Sequence, residues 1–440
     1  MTALPVAESS SVVLLGSSRY QDVDLLPDIP EVARNLADLE ATLTDPDFGI
    51  VPPARCVALL DEVSLPSMGR QLRTSAEQAK DLLLVYFAGH GIKAGPRHEL
   101  YLAMYETDPH EPDFGSLKYE TLRKIVLDSP ARAKVIILDC CFSGRAFGDE
   151  LAAPADALLG QLAIEGSCLL TSAQANNVAL VLPGEAHTAF TGRLLAVLNE
   201  GITGGSEFVT FDDLYRGVRE QLGLLNLPMP LSRSSRTAND LVLSRNRAFR
   251  AAAGASMRRR FDEAAAKAAA GQWPAAMADL QALAADQARI LGPDELDTQR
   301  TRRLAAHAIG ATGNPREAAH LLRELLEEQS GAFGGDHEET MQTRQLLAVN
   351  LGEAGARTEA AAMLRILLPD RRRVLGPTHA NTLRTQHMLA RNLAYLGARA
   401  EAVALVRELI HTCQSLAIDV PTFDWARRDL AALTGTSESD

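Results

Sequence analysis

The sequence predicts an α/β domain, a mainly parallel sheet flanked by helices, followed by an all-α array of helical repeats. Three observations carry this. Apolar runs of strand length alternate with amphipathic helical segments from Ser11 to Arg247, the pattern of an α/β domain. Two of those runs, Leu82–Ala88 and Val135–Leu138, are apolar throughout, as strands covered on both faces must be. Beyond Arg247 alanine, leucine and arginine dominate and a fixed period sets in. The 440 residues have room for two or three domains. The divisions fall at 9–247 for the α/β domain, 248–433 for the repeats and 434–440 for a small polar tail.

The elements follow in order. Val12 to Gly16 reads as the first strand, and Pro30 to Leu43 as a helix with Val32, Leu36, Leu39 and Leu43 on one face. Arg55 to Leu60 is a short strand and Met68 to Lys80 a helix. The run ending at His90 is the next strand, then come the extended piece Glu99 to Met104 and a helix from Tyr119 to Leu127. Lys134 to Cys140 is a strand, and so is Gly166 to Ser172. Thr188 to Asn199 and Phe211 to Leu222 are helices, the second capped by Thr210 with Asp213 three residues on. Asp240 to Ser244 is expected to close the sheet. The alanine-, glycine- and acid-rich stretch 145–165 reads either as a linker or, over 154–163, as a helix.

In the second half Gly271, Gly313, Gly355 and Gly397 are each 42 residues apart. Thr298, Thr340 and Thr382 keep the same spacing, as do Glu317, Glu359 and Glu401. Leu291-Gly292-Pro293-Asp294, Phe333-Gly334-Gly335-Asp336 and Leu375-Gly376-Pro377-Thr378 recur with it. Such a period with helical apolar spacing means stacked helix pairs, three to four of them, each burying its face on the next. The pattern resembles tetratricopeptide repeats of the longer, kinesin-light-chain type. That resemblance implies a surface for a protein partner.

Composition narrows the function. A formal charge of −12, from 44 basic and 56 acidic residues, argues against nucleic-acid binding. The runs Arg258-Arg259-Arg260 and Arg371-Arg372-Arg373 read as solvated helix faces. No apolar stretch approaches the ~20 residues of a membrane span, and the first residues lack the pattern of a signal peptide. Five scattered cysteines form no disulfide framework and suit a reducing cytoplasm. There is no CxxC, HExxH or phosphate-binding glycine loop, so no metal site and no cofactor are expected.

Two residues carry the chemistry. His90 stands between Gly89 and Gly91 at the end of one apolar run, and Cys141 precedes Phe142-Ser143-Gly144 at the end of another. Alone, each reads as a buried structural residue. Together, at the ends of two parallel strands, they would share the sheet edge where α/β folds place their ligands. Alternation along the strand puts Asp139 and Cys141 on one side and Cys140 on the other, in the core.

These motifs resemble the caspase-like cysteine peptidases, the caspase, metacaspase and gingipain group, most of all its bacterial branch. The likeness runs from about Ser9 to about Arg247, and the 51 residues from His90 to Cys141 are near the ~50 of caspases. It implies a Cys141 thiolate as nucleophile, with His90 promoting its formation or protonating the leaving amine. The backbone N–H groups of Gly91 and Cys141 would form the oxyanion hole. Metacaspases carry an aspartate two residues before the nucleophile and cleave after Arg or Lys, which implies a substrate-binding role for Asp139, the alternative being a carboxylate that only hydrogen-bonds local backbone. Ser172 and Ala173, at the end of the following strand, would wall that pocket.

The resemblance also implies a protein or peptide substrate and a linker that is sometimes self-cleaved. It leaves calcium dependence open, since some metacaspases have it, though no run of spaced aspartates announces a site. The expected function is therefore a cytoplasmic thiol protease whose repeats sense a signal or recruit a partner. Relatives of this kind serve in programmed cell death and antiviral defence. The alternative is a signalling scaffold whose caspase-like domain serves mainly for docking.

Overall fold

The computed structural model describes residues 4–94, 99–140, 142–143, 167–172, 181–234, 240–415 and 421–434. Cys141, Ala173, the 145–165 stretch and the tail beyond Thr434 lie outside the described residues. The chain forms two compact units that divide between Ala251 and Ala252.

The strands of the first unit are β1 (Ser11–Gly16), β2 (Cys56–Leu60), β3 (Leu82–Ala88), β4 (Gly91–Ala94), β5 (Glu99–Ala103) and β6 (Ser116–Lys118). They continue with β7 (Ala133–Asp139), β8 (Phe142–Ser143), β9 (Ser167–Thr171), β10 (Phe208–Thr210), β11 (Leu231–Ser234) and β12 (Val242–Arg245). Its helices are α1 (Glu31–Leu43), α2 (Leu65–Gln78), α3 (Tyr119–Asp128), α4 (Ala189–Glu200) and α5 (Phe211–Leu224). Six strands form one sheet in the order β11-β9-β7-β3-β1-β2, parallel except for β11. The apolar runs are central because both of their faces are covered. Leu14, Tyr86 and Ile137 pack with α1, α4 and α5 on one side, while Val13, Val85 and Ile136 pack with α2 and α3 on the other.

The expected closing strand is corrected. β11 closes the sheet, antiparallel to β9, whereas β12 pairs with β10 in a separate ribbon. Leu231-Ser232-Arg233-Ser234 follows Pro228-Met229-Pro230 and has a single apolar residue, so no periodic signal marks it. An edge strand needs a ladder on one side only, and β9 supplies it. In the smaller sheet β6-β5-β4-β8 the expected extended piece is β5, whereas β4, β6 and β8 escaped for a related reason. Two to four residues carry no period. The capping box of α5 is present as read: Thr210 accepts from the Asp213 N–H, and the Asp213 carboxylate accepts from the Thr210 N–H.

The second unit is a run of antiparallel helices. α6 (Arg247–Ala269) begins in the first unit and pairs with α7 (Trp273–Ile290). The pairs α8 (Leu296–Ala311) with α9 (Pro315–Phe333), α10 (Glu338–Glu353) with α11 (Arg357–Val374), and α12 (Ala380–Tyr395) with α13 (Arg399–Ser415) follow. α14 (Pro421–Thr434) packs on the last pair. Gly271, Gly313, Gly355 and Gly397 turn the chain within the pairs at φ of +76°, +104°, +90° and +83°, a region that only glycine enters without penalty.

One expectation about this unit fails. Arg371 is 0% exposed, not part of a solvated face. It occupies the repeat position held by the buried Gln287 and Gln329. Its guanidinium donates to Gln345, the Thr385 hydroxyl at 2.7 Å, and the carbonyls of Asn381 at 3.0 Å and Met341 at 3.1 Å. Burial lowers its pKa to about 10.

Candidate active site

The site lies at the carboxyl edge of the sheet, where β3 and β7 run side by side in parallel. Their register pairs Ala88 with Asp139. His90 and Cys141 each follow two residues after that pair. Just beyond, Gly91 pairs with Phe142, the neighbours of His90 and Cys141 in sequence. The two predicted catalytic residues thus issue from adjacent, registered strands, although Cys141 itself is not described.

His90 is 6% exposed and held at four points. Its N–H donates to the Tyr20 hydroxyl at 3.0 Å, and its carbonyl accepts from the Ala103 N–H at 2.9 Å. The Tyr20 ring lies against the imidazole, with centroids 4.9 Å apart. Nε2 is 2.8 Å from the carbonyl oxygen of Pro27. A carbonyl can only accept, so Nε2 carries the proton and the neutral ring keeps its unshared pair on Nδ1. Burial holds the His90 pKa below its ordinary value, with the Pro27 bond opposing. At neutral pH the ring is therefore a neutral base presented through Nδ1. Gly89, one residue before, has φ of +151°, and a Cβ there would stand 2.8 Å from the Tyr20 hydroxyl. Glycine is required at this approach.

Asp139 is 2% exposed and faces the α1 and α4 side of the sheet. Cys140, the next residue, packs in the opposite core. The Asp139 carboxylate is hydrogen-bonded through Oδ2. Thr188 and Thr191 donate to Oδ2 at 2.5 and 2.6 Å. Because each hydroxyl donates there, each must accept elsewhere. Thr188 accepts from the Asn35 amide at 2.8 Å and Thr191 from the Tyr86 hydroxyl at 2.7 Å. Ser172 lies beside the carboxyl, with its hydroxyl donating to the Cys140 carbonyl at 3.3 Å and its N–H to the Leu138 carbonyl at 2.9 Å. Burial pushes the Asp139 pKa above the carboxylate range, against these hydroxyl donors.

The structure thus brings Asp139 and Ser172 together, while Gly91 lies in β4 between β5 and β8. Ala173 is not described. Asp139 is not the unpartnered carboxylate that a strand-end position suggests, because helix α4 supplies partners that strand alternation cannot reveal. Sequence reasoning missed Thr188 and Thr191, whose spacing at the start of α4 puts them on one helix face. It assigned Tyr20 no role. Pro27 left no signal, because its contribution is a backbone carbonyl.

A family model described as the caspase domain matches residues 11–240, just over half of the chain. The chain belongs to the caspase-domain family. A tetratricopeptide-repeat model matches residues 340–381 within the array. Among solved structures, the chain is similar to a Podosopora anserina kinesin light chain with nearly identical TPR-like repeats. The identity is 23% and the TM-score 0.37, over 41% of this chain and 86% of that one. It is also similar to BtubC from P. vanneervenii, with 14% identity and a TM-score of 0.35 over 41% of this chain and 82% of that one. A search of curated proteins finds no match. The caspase domain puts the first unit in a cysteine peptidase family, and the repeats indicate protein interaction. Among the described residues, no helix is long and apolar enough to cross a membrane.

Proposed function

We propose that the caspase domain is a cytoplasmic cysteine endopeptidase working through a His90–Cys141 dyad. The supporting observation is the Nε2 bond to Pro27, which leaves Nδ1 basic at the end of the strand beside the one that leads to Cys141. In the proposed reaction the Cys141 thiol gives its proton to Nδ1, and the thiolate attacks the scissile carbonyl carbon. The N–H groups of Gly91 and Cys141 hold the oxyanion. Collapse breaks the C–N bond, and Nδ1–H protonates the departing amine. Water, deprotonated by Nδ1, then hydrolyses the thioester. The Pro27 carbonyl plays the part that a carboxylate plays in a triad, holding the tautomer. No cofactor enters this scheme.

The proposed specificity is for Arg or Lys before the cleaved bond. Both threonine hydroxyls converge on one oxygen of Asp139, and a substrate cation would pair with the other, beside Ser172 and Ala173. The tetratricopeptide array would recruit the protein substrate or a partner. The proposed setting, a cell-death or antiviral defence pathway, rests on resemblance to bacterial relatives.

The test compares an electrophilic thiol probe and fluorogenic peptides on the parent and Cys141→Ala. Probe labelling and cleavage after Arg, both lost in the variant, are expected. Equal labelling of both proteins would remove the peptidase reading and leave the docking scaffold. Preference for Asp over Arg would remove the pocket assignment alone.

A further inference from the structure

We propose that Asp61, just past the end of β2, is a positioning residue for His90. The inference rests on the peptidase reading and adds to it a residue that acts through a loop and not on substrate. Asp61 adopts φ of +50°, a left-handed conformation uncommon for a residue with a Cβ. In that conformation its N–H donates to the Gly16 carbonyl at 2.9 Å, which fixes it to the end of β1. Its carboxylate then receives four donors from the two residues that open the next loop. These are the Ser18 N–H at 2.6 Å, the Ser18 hydroxyl at 2.7 Å, and the Arg19 N–H and Nε at 3.3 Å each. The Asp61 side chain is 11% exposed, whereas that of Arg19 is 70% exposed. The ion pair therefore counts for little, and the Ser18 bonds dominate.

Two branches lead from this clasp to His90. In one, the Ser18 carbonyl accepts the Ile29 N–H at 2.9 Å, which closes the loop and places Pro27 two residues earlier. The Pro27 carbonyl then takes Nε2. In the other, the Ser17 carbonyl accepts the Tyr20 hydroxyl at 3.0 Å, and that hydroxyl accepts the His90 N–H. Asp28 reinforces the fold of the loop by accepting the Tyr20 N–H at 2.9 Å. Two of the three hydrogen bonds that hold His90 among the described residues, including the one to its ring, thus come from a segment without regular secondary structure whose early residues are held by Asp61. With the carboxylate removed, Ser18 and Arg19 lose that anchor, Pro27 and Tyr20 drift, and the imidazole is no longer confined to the tautomer with its unshared pair on Nδ1.

The experiment uses the full chain and the variants Asp61→Gly, Asp61→Asn and Ser18→Ala. Glycine keeps the left-handed backbone and removes the carboxylate. Asparagine tolerates that backbone and keeps an acceptor oxygen. Steady-state kinetics on an Arg peptide is read together with nitrogen NMR of the His90 imidazole, assigned by its absence in His90→Gln. Asp61→Gly should lower kcat by about 10- to 100-fold, the range typical of losing a group that orients a functional imidazole. KM should stay within about twofold, and the His90 signals should move from the Nε2–H signature toward a tautomer average. Asp61→Asn should recover to within about threefold of the parent. Parent-like kcat in folded Asp61→Gly, or a fall in kcat with an unchanged His90 signature, would overturn the assignment. If Asp61→Gly does not fold, Ser18→Ala decides: the same shift in the His90 signature supports the clasp, and an unchanged one refutes it. Absence of cleavage by the parent would remove the peptidase reading, while the tautomer comparison would still decide the role of Asp61.

Discussion

Thr191→Val tests the buried network under the site. The substitution nearly conserves shape and removes one hydroxyl. That hydroxyl donates to the Asp139 carboxylate at 2.6 Å and accepts from the Tyr86 hydroxyl at 2.7 Å, and all three groups are buried. A hydrogen bond to a charged group is worth about 1.5–3 kcal/mol, and a buried hydroxyl left without its acceptor costs about 1–3 kcal/mol. Relief from desolvating the threonine itself offsets part of this, so the loss should be about 2–4 kcal/mol. The sign with pH follows from the raised Asp139 pKa. A carboxyl whose pKa is raised in the fold binds more protons folded than unfolded, so its ionisation opposes folding, and that cost is relieved as pH falls through the raised value. Removing a donor to the ionised form raises the pKa further. The stability gap between variant and parent should therefore narrow as pH falls through the raised Asp139 pKa. Both tryptophans, Trp273 and Trp425, lie in the array. Hydrogen exchange of the β3 and β7 amides therefore reports the first unit separately. A loss below about 0.5 kcal/mol, or a gap that does not change with pH, would refute the proton assignment in this network.

Three further outcomes are expected. His90 is held below its ordinary pKa by burial, so the acid limb of kcat/KM should lie below about pH 6.5, and a limb at or above neutrality would contradict the neutral Nδ1 base. Cys140→Ser should cost about 1–3 kcal/mol by placing a hydroxyl in the α2–α3 core, while cleavage persists in the folded fraction; an inactive but fully stable variant would move the nucleophile to Cys140. Glu339 is 3% exposed and bonded by Arg303 and by Arg300 at 2.7 Å, and these cations outweigh burial to hold its pKa below the ordinary value. Glu339→Gln should therefore destabilise the array by about 3 kcal/mol, with the difference vanishing as pH falls through the lowered pKa, as followed by tryptophan fluorescence.

What the sequence determined by itself is what local pattern can carry. The runs Leu82–Ala88 and Val135–Leu138 are apolar at every position, so they had to be central strands, and the structure sets them side by side with Ala88 against Asp139 at their ends. The 42-residue period required stacked helix pairs, because a helix pair with one apolar face finds its cover in the next copy. Tertiary structure decided the rest. The Nε2 partner of His90 is a backbone carbonyl 63 residues away, a group every residue possesses, so no residue type announces it. The partners of Asp139 stand 49 and 52 residues later, at the cap and in the first turn of α4, and only the packing of α4 on the sheet brings them in. Charge on a helix is usually exposed, yet the position of Arg371 in the repeat faces the core, where amide, hydroxyl and carbonyl acceptors take its two terminal nitrogens. Periodicity is a property of neighbours along the chain, whereas the tautomer of a histidine and the charge of a buried acid belong to neighbours in space.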